Sequence, residues 1–347
     1  MKRVVLLGAT GSIGRQAIEV INSHADLELV GATSGTTSLD GLAPLTQVGG
    51  DPTELLERAR PDVVLNAVVG FAGLGPTMWA LENGVTLALA NKESLVAAGD
   101  LALAARERGG GALIPVDSEH SALFQCAQLG QAESIVLTAS GGPFRGRTRE
   151  QLADVTVEEA LAHPTWSMGA KITVDSATLA NKGLEVLEAH FLFGLPYDRI
   201  EVLVHPPSIV HGLVRFSDGA TIAHLGYPDM RVPISYALTY PDRAATPVAP
   251  LDLTTQPLEF FVPDTEAFPM LALAREAGER GGTYPCAFNA ANEVAVAAFL
   301  GGRIAFLDMP ALVEDVLDRV DGAAARDLDE LREADRRARD LVGVAWA

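Results

Sequence analysis

Arg3-Val4-Val5-Leu6-Leu7-Gly8-Ala9-Thr10-Gly11-Ser12-Ile13-Gly14 is the stretch on which the fold class turns. Its apolar half has the length of a buried strand, one without alternation because both faces of a parallel sheet are covered. Small residues follow, and from Ile13 to about Ile21 apolar positions recur at helical spacing. Strand, glycine turn and helix in that order suit a dinucleotide. Residues with little side chain let the backbone approach a pyrophosphate, and the free N–H groups of the helix start point at it. The spacing is Gly-x-x-Gly-x-x-Gly rather than Gly-x-Gly-x-x-Gly, so on these residues alone a plain tight turn remains the alternative.

Working outward, Leu27 to Ala32 reads as the second strand, ending at Thr33-Ser34-Gly35-Thr36-Thr37. An NAD site usually carries an acid here for the ribose hydroxyls, and none is present. The hydroxyls of Ser34, Thr36 and Thr37 are expected to receive the 2'-phosphate of NADP, although no Arg or Lys stands beside them in the sequence. Thr46 to Asp51 reads as a loop and Pro52 to Arg60 as a short helix. A strand at Asp62 to Ala67, a glycine-punctuated helix to Asn83 and a strand at Val85 to Ala90 continue the α/β winding. Lys92, in Asn91-Lys92-Glu93-Ser94, then falls at the carboxyl edge of the sheet, where open α/β sheets place ligands. A helix from Leu95 to Arg108 and a strand from Ala112 lead to Pro115-Val116-Asp117-Ser118-Glu119-His120. Asp117 and Glu119 lie two apart, so in extended backbone both carboxylates share a side and suit a hard divalent cation; a solvated turn or a helix start are the other readings.

Past a strand at Ile135 to Thr138, Ala139-Ser140-Gly141-Gly142-Pro143-Phe144 is a small-residue turn able to hold an oxyanion. Thr156 is expected to cap a short helix ending near His163-Pro164-Thr165-Trp166-Ser167-Met168-Gly169, a segment that is either a lid or packed on a core. Asp175 is expected to open a helix running to Phe193, with Ser176 at its amino end and Asn181, Lys182 and Glu185 on it; the plain reading of the last two is a surface ion pair. Strands at Ile200 to His205, Val210 to Phe216 and Ala220 to Leu225 make an α+β part, mainly antiparallel. Tyr240 to Pro263 reads as a linker, and four helical patterns (about Pro269 to Gly278, Phe288 to Leu300, Met309 to Val320, Leu328 to Val342) as a small bundle.

Length and charge set outer limits. A chain of 347 residues fits two or three domains. Its formal charge of -19 disfavours nucleic acid and anionic membrane, and an anionic small molecule would need local cations, hydroxyls and helix starts to bind. Cys126 and Cys286 form no Cys-x-x-Cys pair and are expected to be free and buried. The apolar run before Gly8 is too short for a signal-peptide core or a membrane span, which suggests a cytoplasmic protein.

With these motifs in one order, nearly the whole chain resembles the 1-deoxy-D-xylulose 5-phosphate reductoisomerase family. The resemblance also draws on His205-Pro206-Pro207-Ser208-Ile209-Val210-His211, Pro228-Asp229-Met230-Arg231 and Asn289-Ala290-Ala291-Asn292-Glu293. It implies an NADPH-dependent enzyme that also needs Mg2+ or Mn2+ and converts 1-deoxy-D-xylulose 5-phosphate to 2-C-methyl-D-erythritol 4-phosphate in non-mevalonate isoprenoid synthesis, as a homodimer. Asp117, Glu119 and Glu185 would bind the metal, and with Lys92 and His163 would form the catalytic set. Ser140, His163, Ser176, Asn181 and Lys182 would hold the substrate phosphate end, Lys92, Ser118, Glu119 and Glu185 its reacting end, and Trp166 with Met168 would lie in the lid. Thr10, Gly11, Ser12, Ile13, Gly35, Asn91 and Glu93 would face the cofactor. The implied domains are a shortened Rossmann-like dinucleotide-binding domain (1–116), an α+β catalytic, metal-binding and dimerisation domain with a lid at 163–171 (117–240), a linker (241–263) and a helical bundle (264–347).

Three departures from the family pattern stand out. The turn after the second strand lacks the Lys or Arg common in relatives, which puts the NADPH preference in question. The chain is short between about Ser38 and Pro52, so a reduced sheet, short of one strand, is expected. Ala139 stands where relatives commonly have Gly. The runner-up function is another NAD(P)-dependent oxidoreductase, such as a semialdehyde or hydroxy-acid dehydrogenase, which has no need of three metal-type carboxylates. A catalytically silent nucleotide-binding protein would have no need of Lys92, His163 and Lys182 besides.

Overall fold

The computed structural model describes residues 1–345. The chain divides into two compact units: Met1–Ser94, Asp100–Gln128 and Asp229–Leu251 form the first, and Leu95–Gly99, Leu129–Pro228 and the chain from Asp252 onward form the second.

The first unit runs β1 (Lys2–Leu7), α1 (Ser12–Ser23), β2 (Leu27–Ser34), β3 (Leu45–Val48), α2 (Thr53–Ala59), β4 (Val63–Asn66), α3 (Leu74–Glu82), β5 (Thr86–Leu89), α4 (Glu93–Val96), α5 (Gly99–Gly109), β6 (Leu113–Pro115) and α6 (Ser118–Ala127). All strand pairs are parallel and the order is β3-β2-β1-β4-β5-β6, the doubly wound arrangement in which ligands sit beyond the carboxyl strand ends. Val4 to Leu7 are wholly buried, each contributing roughly 1.5–3 kcal/mol of burial. Ala17, Val20 and Ile21 of α1 cover Val4 and Leu6 together with Ile234, Ala237 and Leu238 from a later helix.

Two expectations are corrected here. Leu45–Val48 is a strand, not a loop; it pairs with Gly31 to Ser34, and its half-exposed edge position masks the apolar signal a buried strand shows. The sheet has six strands. The β2 to β3 connection, residues 35–44, contains no helix although parallel neighbours are usually joined by one. The helix expected over Leu95 to Arg108 is two helices, α4 and α5. At their junction a Cβ on Gly99 would lie 2.4 Å from the Phe191 ring, so only glycine fits.

The second unit contributes β7 (Ser134–Ala139), α7 (Val157–Leu161), α8 (Ala170–Thr178), α9 (Ala180–Phe193), β8 (Ile200–Val204), β9 (Val210–Arg215) and β10 (Thr221–Leu225); α10 (Arg231–Thr239) returns to the first. The sheet order is β10-β9-β7-β8, with β7 and β8 parallel and the other pairs antiparallel. Thr156 caps α7 through a reciprocal capping box with Glu159, as its position predicts. The single helix expected from Asp175 to Phe193 is instead α8 and α9, broken at Leu179, whose φ of 64° is left-handed. From Tyr240 to Pro263 there is no helix or regular strand, only an isolated bridge of Phe261 with Val204.

The remaining helices are α11 (Met270–Arg280), α12 (Tyr284–Leu300), α13 (Asp308–Arg319) and α14 (Leu328–Ala345). The α12 helix begins before Phe288 because Pro285 sits in its first turn, where a missing N–H is tolerated. Both cysteines are free and buried. Among the described residues no helix is long and apolar enough to cross a membrane.

Candidate functional site

In the first unit, the β1 to α1 turn is fixed by main-chain bonds from Gly8 and Ala9 N–H to the Thr33 carbonyl, at 3.1 and 2.8 Å, which set the turns after β1 and β2 side by side. Two of its glycines are required by the protein itself. Gly8 has φ +84°, and a Cβ on Gly14 would stand 2.3 Å from the Gly8 carbonyl oxygen. Gly11 is different: its φ is ordinary, a Cβ would meet only the Gly8 oxygen at 3.4 Å, and the residue is exposed. Gly11 precedes α1 with no side-chain cap, and the first turn of that helix has no acid. Thr10, Gly11, Ser12 and Ile13 thus frame a bare helix start suited to a pyrophosphate. Gly35 is exposed in the neighbouring turn. Ser34, expected to meet the 2'-phosphate, is buried and donates its hydroxyl to the Thr37 carbonyl, so that hydrogen is already committed.

Asn91 and Glu93 are buried at the carboxyl end of β5. The Asn91 amide donates to the Val68 and Gly70 carbonyls and to Glu93, at 2.7, 3.0 and 2.8 Å, while its oxygen accepts from the Ser94 N–H and hydroxyl. This side chain fixes the β4 and β5 turns to each other. The Lys92 ammonium pairs with Asp117. Asp117 is the N-cap of α6, accepting from the N–H groups of Glu119 and His120, and Ser118 donates to Glu119 at 2.5 Å. The Pro115 to His120 stretch is therefore a helix start. Its two carboxylates are placed by capping geometry and not by the period of extended backbone.

In the second unit, His163 Nε2 lies 3.0 Å from Ser140 Oγ and 3.1 Å from Ser176 Oγ. Its Nδ1 accepts from the N–H groups of Thr165 and Trp166, at 3.1 and 2.9 Å. Two N–H groups aimed at Nδ1 need its lone pair, which fixes a neutral ring with hydrogen on Nε2. Burial also pushes the His163 pKa down, favouring the same form. Ser140 Oγ accepts from the Gly142 N–H at 3.2 Å as well. With imidazole and amide hydrogens directed at these oxygens, the hydroxyl hydrogens are left to be given outward, which is what an oxyanion requires.

On α9 the Glu185 carboxylate accepts from Asn181 and from Lys182, each at 2.5 Å. The Lys182 and Glu185 side chains are 4% and 1% exposed, so the plain reading of a surface ion pair is wrong. The sequence also places Ser176 at a helix start, whereas it lies in the last turn of α8. Trp166 is half-buried, its ring 6.4 Å from that of His211.

Sequence reasoning missed two contacts. Asn292 donates to Asp175, beside Ser176, at 2.8 Å, and Arg15 donates to the Thr10 carbonyl at 2.5 Å. Asn292 lay in a quoted motif without a role, and Arg15 is on a helix face that periodicity treats as solvated.

Taken singly, the units are a dinucleotide-type α/β sheet and a mixed-sheet unit carrying a hydroxyl and imidazole cluster and a buried acid–base pair, the parts of a nucleotide-dependent enzyme acting on an anionic small molecule. Family models narrow this. That of 1-deoxy-D-xylulose 5-phosphate reductoisomerase matches residues 4–50 and 46–99, that of its C-terminal domain residues 113–193, and that of the DXP reductoisomerase C-terminal domain residues 225–341. The chain belongs to the 1-deoxy-D-xylulose 5-phosphate reductoisomerase family. It is 53% identical over 355 residues to the reductoisomerase of Leifsonia xyli subsp. xyli, covering 99% of this chain and 98% of that protein. The protein of that name from Thermomicrobium roseum is 50% identical over 377 residues, again covering 99% and 98%. Among solved structures, the Zymomonas mobilis reductoisomerase in complex with NADPH superposes with a TM-score of 0.91 at 38% identity, covering 99% of both chains. A reductoisomerase in complex with NADPH, fosmidomycin and magnesium gives 0.92 at 36% identity, covering 99% of this chain and 98% of that one.

Proposed function

We propose that this chain rearranges and reduces 1-deoxy-D-xylulose 5-phosphate to 2-C-methyl-D-erythritol 4-phosphate, using NADPH and a divalent cation. What carries the reading is identity near one half, end to end, with relatives named for that activity.

The donor sets fit both groups. The bare start of α1 and the open approach at Gly11 suit a pyrophosphate, with Thr10, Ser12, Ile13 and Gly35 beside it and Asn91 and Glu93 shaping the neighbouring turn. Asp117, Glu119 and Glu185 offer only carboxylate oxygens, the ligands Mg2+ and Mn2+ prefer. Bound there, the cation would supply Lewis acidity to the ketone and hydroxyl oxygens of the substrate. NADPH would supply the hydride that reduces the rearranged aldehyde, 2-C-methylerythrose 4-phosphate.

The chain's own residues do the rest. Lys92 orients the Asp117 carboxylate, as Lys182 and Asn181 orient Glu185. Ser140 and Ser176 give their hydroxyl hydrogens to the phosphate while neutral His163 keeps both oriented. Ser118 faces the reacting end of the substrate. The segment 163–171, with Trp166 and Met168, closes over bound substrate and excludes water. In this reading residues 1–116 bind the dinucleotide, 117–240 carry catalysis and the contacts of a homodimer, 241–263 link, and the helices from 264 onward buttress. The enzyme would work in the cytoplasm.

The test is loss of NADPH absorbance with 1-deoxy-D-xylulose 5-phosphate and Mg2+, repeated with NADH and with a chelator. Oxidation that needs substrate and stops with chelator is expected. No oxidation with either dinucleotide by folded protein would refute the assignment.

A further inference from the structure

We propose that Arg15 reads the 2'-phosphate of the dinucleotide, replacing the basic residue that the turn after β2 lacks. The inference rests on the cofactor reading above and concerns how that cofactor is told from NADH.

The turn after β2 has little left with which to hold a dianion. Ser34 is buried with its hydroxyl donated to Thr37, Asp40 accepts from Ser38 at 2.8 Å, and residues 34–40 contain no cation. Two exposed threonine hydroxyls remain, in a chain of formal charge -19. A compensating cation must come from elsewhere in the unit, and the topology restricts which. Lys2 and Arg3 begin β1 and are bonded to the carbonyls of Thr239 and Tyr240 and of Ala59 and Arg60, at the opposite strand ends. Lys92 is at the correct edge but is paired with Asp117 and follows β5, three strands from β2 and so about 14 Å away along the sheet.

Arg15 is in the first turns of α1, which starts from β1, the immediate neighbour of β2. Its guanidinium folds back to the Thr10 carbonyl, onto the β1 turn that Thr33 ties to the β2 turn. Among the described residues no carboxylate pairs with it. One N–H direction is spent on Thr10 and orients the plane; the residue is exposed, and a planar fork of donors matches phosphate oxygens.

The experiment is equilibrium titration of the full chain with NADPH and with NADH, followed by nicotinamide fluorescence, for wild type, Arg15→Gln and Arg15→Lys. Both substitutions are exposed and keep helix propensity. Wild type is expected to bind NADPH more tightly than NADH. Arg15→Gln should weaken NADPH about tenfold, leave NADH within about twofold and flatten the salt dependence of NADPH binding. Arg15→Lys should recover part of the loss. Unchanged NADPH affinity in Arg15→Gln, or equal weakening of both dinucleotides, overturns the proposal while leaving the cofactor reading intact. Wild type that binds neither dinucleotide overturns both.

Discussion

Lys182 and Glu185 offer the sharpest test of the energetics. An exposed pair at this spacing would contribute a few tenths of a kcal/mol, but these side chains are 4% and 1% exposed and meet at 2.5 Å. Taking one partner from a buried pair leaves the other charge desolvated, a cost of about 3–5 kcal/mol. Lys182→Met keeps the length of the side chain and removes the charge. Glu185→Leu takes the carboxylate from the ammonium and should cost a similar amount. The double variant, with neither charge, should be less destabilised than the sum of the two singles, by at least about 2 kcal/mol of coupling. Urea unfolding, followed by fluorescence of Trp166 in the second unit after Trp79→Phe and Trp346→Phe, measures all four corners; Trp346 lies outside the described residues. Single variants that each cost under about 1 kcal/mol, with additive doubles, would mean the pair is solvated and the reasoning wrong.

The glycines of the first turn should separate by phenotype. Gly14→Ala drives a Cβ to 2.3 Å from one backbone atom and 2.6 Å from another, costing about 1–3 kcal/mol in thermal or urea unfolding; Gly11→Ala should leave stability within about 1 kcal/mol yet abolish NADPH binding, since its Cβ enters only the space left to the ligand. For His163, the folded pKa lies below the unfolded value of about 6.5. Stability from this group is present above that pH and is lost as pH falls through the folded value, because the unfolded chain takes up the proton first. His163→Gln should reduce the acid-side slope of stability against pH, and an unchanged slope would count against a buried neutral ring. Trp166 emission, in the same Phe-substituted background, should change on adding 1-deoxy-D-xylulose 5-phosphate; a silent signal would remove the lid role.

How far the sequence could be read depended on whether the physical cause was local. Val4 to Leu7, the glycine turn and the α1 periodicity are all consequences of neighbouring residues, so the first βαβ unit was legible without a structure. The β3 strand was not, because an edge strand of four half-exposed residues gains its conformation from Gly31 to Ser34 of β2 and not from its own composition. The candidate site divides the same way. Residue types at Asp117, Glu119, His163 and Glu185 announce chemistry, but the tautomer of His163 is set by two loop N–H groups, the capping role of Asp117 by the helix after it, and the burial of Lys182 by packing distant in sequence.

The α8 to α9 break shows why such a feature eludes pattern reading. Residues 175–193 keep helical periodicity throughout and contain neither proline nor an early glycine, so nothing local marks Leu179 as a stop. A left-handed leucine costs roughly 1–2 kcal/mol, and what offsets it is burial: Leu179 is 4% exposed, Ala180 is fully buried, and Thr178 Oγ1 accepts the Ala180 N–H at 3.2 Å. The consequence bears on the chemistry. A continuous helix would put Ser176 at an amino end and Asn181 one and a half turns on; the break leaves Ser176 in a carboxyl-terminal turn, where the helix dipole disfavours an anion, and gives Asn181 and Lys182 the amino-terminal turn of a new helix, where it is favoured. Ser176 can then serve a phosphate only through its hydroxyl, and that hydroxyl is the one His163 orients.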